Sequence, residues 1–222
     1  MSTQIKICGI TTVGDALAAI EAGANFLGLI FAEKSARKVD ETDARAIMDI
    51  VRNHPVKVVG VFKDQDLAYV SRLAMTLKLD YVQCHGGETL QYAKDLPTNI
   101  IRVIEIDPET FDAAKLAETL SVWRETTTYF LFDRPKGLND PAWLPATLEK
   151  MVQVSQLSQV PYFLAGGLGD DNVGQAIAAL NPYGVDVASS IEAIPGKKDL
   201  KKMAAFCLAV SQASEGVSTC AH

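Results

Sequence analysis

Short apolar runs alternate with longer amphipathic runs along the whole chain. Ile5 to Cys8, Phe26 to Phe31, Val56 to Phe62 and Tyr81 to Cys84 read as strands. So do Ile100 to Ile106, Tyr129 to Phe132, Tyr162 to Ala165 and Val185 to Ala188. Between them lie segments with apolar residues at helical spacing. The first runs from Val13 to Ala22, with Thr12 as N-cap, Asp15 three residues on and Gly23 as stop. The second starts at Asp40 and places Ala46, Ile47 and Ile50 on one face. Further helices are expected over Leu67 to Leu77, Glu88 to Leu96 (ended by Pro97) and Pro108 to Trp123. The last three are expected from about Pro141, over Asp171 to Leu180, and over Leu200 to Val210.

Eight β–α units with short connections predict a single (β/α)8 barrel, an α/β fold. An open doubly wound sheet alternates in the same way. The count of eight, and the lack of a G-x-G-x-x-G after the first strand, favour the barrel. No linker or composition shift divides the chain. The barrel is expected over residues 1–213, with a small polar, frayed tail over 214–222.

Composition narrows the class of function. The 222 residues carry a formal net charge of −6, with 48% apolar and 22% charged residues, as in an ordinary globular domain. An acidic balance argues against nucleic acid as partner, but not against a small phosphate, which backbone amides can bind without side-chain charge. The four cysteines, Cys8, Cys84, Cys207 and Cys220, form no C-x-x-C pair, so neither a zinc site nor a disulfide framework is expected. Reduced thiols in a cytoplasm are the simplest expectation. No signal-peptide h-region and no spanning run of roughly 18–20 apolar residues is visible, so no membrane partner is expected.

In a barrel, chemistry gathers where strands end at the carboxyl face. Cys8 ends the first strand; it is either a core thiol or a thiolate base facing the mouth. Asp133 follows four apolar residues and is either a loop cap or a buried carboxyl suited to donating a proton. Gly166 and Gly167 follow the seventh strand, and Ser189 and Ser190 the eighth. These are tight turns or the phosphate site that recurs in this fold. Arg37 is either a carboxylate clamp or a solvated charge, and His85 either lines the pocket or bonds within the rim.

Taken together these residues resemble a known family. Lys6-Ile7-Cys8-Gly9-Ile10-Thr11, Gly28-Leu29-Ile30-Phe31 with Lys34-Ser35-Ala36-Arg37, and Val59-Gly60-Val61-Phe62 are similar to phosphoribosylanthranilate isomerases. Val82-Gln83-Cys84-His85-Gly86, Leu164-Ala165-Gly166-Gly167-Leu168 and Gly184-Val185-Asp186-Val187 extend the resemblance from Ile5 to about Met203. The resemblance implies a (β/α)8 barrel and an Amadori rearrangement in tryptophan biosynthesis, with a phosphorylated small-molecule substrate and no cofactor or metal. It implies Cys8 as general base, Asp133 as general acid and Arg37 on the anthranilate carboxylate. Gly166 and Gly167, with the Ala188 to Ser190 turn, would hold the phosphate.

Three segments depart from the family pattern. Arg134 to Trp143 stands where a Gly-Gly-Thr-Gly type loop is usual, Ala188 and Ser190 alter the last turn, and Gly87 replaces an acidic residue. The rival readings are a related sugar-phosphate isomerase or epimerase, and a phosphate-binding barrel without catalysis. Oligomeric state is left open.

Overall fold

The computed structural model describes residues 2–135 and 143–219. Its eight long-axis strands are β1 (Gln4–Cys8), β2 (Phe26–Ile30), β3 (Lys57–Phe62), β4 (Tyr81–Cys84), β5 (Asn99–Glu105), β6 (Tyr129–Asp133), β7 (Tyr162–Leu164) and β8 (Gly184–Val187). They close in sequence order into a parallel barrel, with β1 pairing both β2 and β8. The helices between and after them are α1 (Val13–Glu21), α2 (Glu41–Val51), α3 (Leu67–Leu77), α4 (Leu90–Lys94), α5 (Ala113–Trp123), α6 (Trp143–Leu157), α7 (Val173–Leu180) and α8 (Leu200–Thr219). No helix among the described residues is long and apolar enough to cross a membrane.

Strand parity divides the core in two. Ile5, Ile7, Leu27, Leu29, Val185 and Val187 face outward and pack under the helices. Cys8, Phe26, Val59, Val61, Ile101, Val103, Leu131, Phe163 and Ala165 face inward and fill the barrel. An aromatic cluster of Phe26, Tyr81, Tyr129, Phe163 and Tyr183 fills the amino end, where the Tyr129 hydroxyl donates to that of Tyr183 at 3.0 Å. The same inward parity that plugs one end with aromatic rings brings Cys8 and Asp133 to the other.

Several element boundaries differ from the sequence expectation. The buried face of α2 is Ala44, Ile47, Met48 and Val51, rather than Ala46 and Ile50, which face solvent. Helix α4 starts at Leu90 with Thr89 as cap, because Glu88 is drawn away: its carboxylate accepts from the Asp64 and Gly86 N–H groups at 2.8 Å each. Helix α5 starts at Ala113, where the Asp112 side chain accepts from two backbone N–H groups, rather than at Pro108. Helix α7 begins at Val173, rather than Asp171. Helix α8 continues past Val210 and through Ser214, which accepts from the Thr3 N–H at 3.3 Å and ties the helix to the first strand. A hairpin not expected from the sequence, β9 (Glu192–Ile194) with β10 (Lys197–Lys198), follows β8. The expected start of the sixth helix at Pro141, and the Lys136 to Ala142 part of the atypical segment, lie outside the described residues.

Candidate active site

At the carboxyl end of the barrel lies a cavity of about 270 Å³. Its walls bring together six of the eight sequence-predicted site residues: Arg37, Asp133, Gly166, Gly167, Ser189 and Ser190. His85 lines an adjoining recess, and its Nε2 lies 3.9 Å from Asp133 Oδ2, so the two residues mark the ridge between the hollows. Cys8 contributes no wall to the cavity. It is 5% exposed and interacts with Asp186, which does line it.

Asp133 ends β6 facing inward, and its Oδ1 accepts the Arg134 N–H at 2.8 Å. Burial, reinforced by the nearby charge of Asp186, raises its pKa to about 6. A carboxyl with that value can donate a proton near neutrality, which an ordinary solvated aspartate cannot. Cys8 moves the other way from a ready thiolate. Burial pushes its thiol up, opposed by the ammonium groups of Lys6 and Lys198.

Two charge networks surround these groups, and among their members only Cys8 and Arg37 are site residues expected from the sequence. Lys6 is fully buried and donates to Asp186 Oδ1 at 2.9 Å; the two are directly paired in the β1–β8 register. Burial works against the Lys6 charge, but Asp186 and Cys8 outweigh it and hold the ammonium protonated. The second network starts from the unexpected hairpin. Glu192 accepts from Arg37 Nε at 2.8 and 3.0 Å to its two oxygens, and from Arg37 Nη2 at 2.8 Å. Lys198, buried on β10, donates to Glu192 at 3.2 Å, to the Cys8 carbonyl at 2.7 Å and to the Ala188 carbonyl at 3.0 Å. Burial pushes the Glu192 carboxyl up, yet Arg37 and Lys198 outweigh that and keep it below its ordinary value. For the first network the sequence shows that charges are present in strands, but not which residues pair. Lys6 and Asp186 are opposite charges inside apolar strands, and burial is tolerated there only for partnered charges.

The glycine loop and the serine turn both line the cavity. Gly166 and Gly167 have φ of +95° and +79°, a conformation in which a side chain would be strained. The Ser190 hydroxyl donates to the Leu168 carbonyl and so ties one turn to the other. Its proton is therefore directed at the loop, not at the cavity. Among the described residues, the N–H groups of Gly166, Gly167, Ser189 and Ser190 donate to no protein acceptor. Such a set of amides is a ready anion cradle.

The family described as N-(5'phosphoribosyl)anthranilate (PRA) isomerase matches residues 5–209. The chain is 39% identical over 215 residues to the N-(5'-phosphoribosyl)anthranilate isomerase of Geobacter sp. (strain M21), covering 92% of this chain and 96% of that protein. It is also 34% identical to a multifunctional tryptophan biosynthesis protein of Phycomyces blakesleeanus, of whose length it spans 32%. Among solved structures, it is similar to phosphoribosyl anthranilate isomerase from Thermotoga maritima, with a TM-score of 0.83, 30% identity, and 95% and 99% of the two chains covered. A phosphoribosyl anthranilate isomerase in complex with reduced 1-(o-carboxyphenylamino)-1-deoxyribulose 5-phosphate is similar at a TM-score of 0.80 and 30% identity, with the same coverage. The chain belongs to the N-(5'-phosphoribosyl)anthranilate isomerase family.

Proposed function

We propose that this chain isomerises N-(5-phosphoribosyl)anthranilate to 1-(2-carboxyphenylamino)-1-deoxyribulose 5-phosphate, with Asp133 as general acid and Cys8 as general base. The observation that carries the residue assignment is the raised carboxyl of Asp133 on the wall of a cavity that an anion cradle also lines. The reaction needs a proton delivered to the furanose ring oxygen. Protonation breaks the C1–O bond while the anilino nitrogen supplies its electron pair to form C=N. The iminium acidifies the neighbouring C2–H, and the Cys8 thiolate removes that proton to give an enolamine. Tautomerisation returns a proton to C1 and leaves a ketone at C2. Atoms and electrons balance within the substrate, and acid and base each contribute about 10²–10⁴-fold in such steps.

The remaining assignments follow from position. The backbone N–H groups of Gly166, Gly167, Ser189 and Ser190 take the 5-phosphate. Arg37 takes the anthranilate carboxylate through Nη1, since Nε and Nη2 are engaged by Glu192. His85, beside Asp133, borders the same end of the substrate. The test is growth of a tryptophan-requiring strain that lacks this isomerase activity. The wild-type chain restores growth and Cys8→Ser does not; failure of the wild type, with soluble protein present, contradicts the reading.

A further inference from the structure

The charges that line the cavity are mostly committed to partners. Arg37 is engaged by Glu192, and Asp186 by Lys6. Arg134 differs: among the described residues, no carboxylate lies within ion-pair distance of its guanidinium. Its side chain lies against the Gly166–Gly167 loop. A Cβ built on Gly167 would stand 2.9 Å from Arg134 Nη1 and 3.2 Å from Cζ. The guanidinium thus occupies the place where any other residue at 167 would put its side chain. It shares the cavity wall with Gly166, Ser189 and Ser190.

We propose that Arg134 is a further phosphate-binding residue, whose guanidinium completes a site otherwise built from backbone amides. The proposal rests on the isomerase reading for the identity of the substrate, but not for the chemistry of the site. Four neutral amides orient a phosphate without neutralising it, whereas a guanidinium supplies a full charge and two coplanar N–H donors. One residue then serves two groups: its N–H fixes the Asp133 carboxylate and its side chain holds the anion. Phosphate binding and the placement of the acid are linked through a single residue of backbone.

The test measures binding of inorganic phosphate by titration calorimetry, and steady-state kinetics with the phosphoribosyl substrate, for wild type, Arg134→Gln and Arg134→Lys. Loss of a charge-assisted contact to a dianion predicts a phosphate Kd and a KM raised about 10–100-fold in Arg134→Gln, with kcat changed far less. Arg134→Lys is expected to recover part of both. Unchanged phosphate affinity in a folded Arg134→Gln protein, judged by its circular dichroism, overturns the proposal even if the wild type is active. So does a loss confined to kcat, which would place Arg134 with the acid alone. If phosphate affinity falls as expected while the wild type does not turn over the phosphoribosyl substrate, the isomerase reading fails and the Arg134 site stands. If Arg134→Gln does not fold, Arg134→Lys carries the same comparison: wild-type-like Kd and KM with Lys support a cation requirement only if they weaken with added salt, and salt-independent binding contradicts it.

Discussion

A methyl group on Gly28 would lie 2.7 Å from the sulfur of Cys8 and 3.0 Å from its Cα. The two residues are paired in the β1–β2 register, so neither backbone can retreat without disturbing the barrel. Gly28→Ala is therefore expected to destabilise the fold by about 1–3 kcal/mol, as overpacking does. It should also lower kcat more than it raises KM, because the displaced atom is the proposed base and the glycine and serine turns lie elsewhere. Denaturant unfolding together with steady-state kinetics checks both; a neutral effect on kcat would separate the Cys8 sulfur from the chemistry.

Asp133 is held in a state that costs stability. Its folded pKa of about 6 lies above the ordinary carboxyl value of 3.8. Between those values the native chain binds more protons than the unfolded one, so this group's contribution falls as pH rises through the window. A shift of about two units is worth at most about 3 kcal/mol. Asp133→Asn can still accept the Arg134 N–H and carries no charge to desolvate. It should be more stable than wild type at pH 8, by about 1–3 kcal/mol, and little different at pH 4. Urea unfolding at the two pH values checks this, and equal destabilisation at both would mean Asp133 is a structural cap.

The order of the two titrations shapes the pH dependence. Burial holds the Cys8 thiol above its ordinary value and raises the Asp133 carboxyl to about 6, so the proposed acid titrates at lower pH than the proposed base. The productive form, thiolate with carboxylic acid, is therefore a minor fraction of the free enzyme across the plateau. The account predicts a bell in kcat/KM whose lower limb lies near pH 6 and whose upper limb follows the raised Cys8 thiol on the alkaline side. A thiolate absorbance titration of wild type minus Cys8→Ser should show the Cys8 step on the upper limb. Finding it near pH 6 would invert the assignment.

Arg37 both faces the cavity and anchors the β9–β10 hairpin. Arg37→Ala is expected to raise KM about 10–100-fold with a smaller change in kcat, since a carboxylate contact serves ground and transition states alike. An unchanged KM combined with lowered stability would reduce Arg37 to a partner of Glu192.

Much of this arrangement is legible in the sequence because parallel strands buried on both faces are nearly continuous apolar runs. A polar residue that ends such a run, as Cys8 and Asp133 do, stands out and falls at the mouth by parity. Lys6 and Asp186 were opaque for the opposite reason. A charge within a strand is read against its own segment, whereas its partner lies 180 residues away and is set only by barrel closure. The β9–β10 hairpin is two short strands around Pro195-Gly196, below the length at which alternation carries information. Its consequence, the capture of Arg37 by Glu192, depends on that missed turn. Helix starts shifted wherever an acidic side chain had a stronger tertiary use, as Glu88 does on Asp64 and Gly86.

The most direct test of the central claim is turnover of N-(5-phosphoribosyl)anthranilate by the purified chain, with product identified by chromatography and compared across wild type, Cys8→Ser and Asp133→Asn. The account predicts conversion to the carboxyphenylamino deoxyribulose 5-phosphate by wild type, and a loss of at least about 100-fold in kcat for each variant with KM nearly kept. No conversion by a folded wild-type chain, or near-wild-type kcat in either variant, would contradict it.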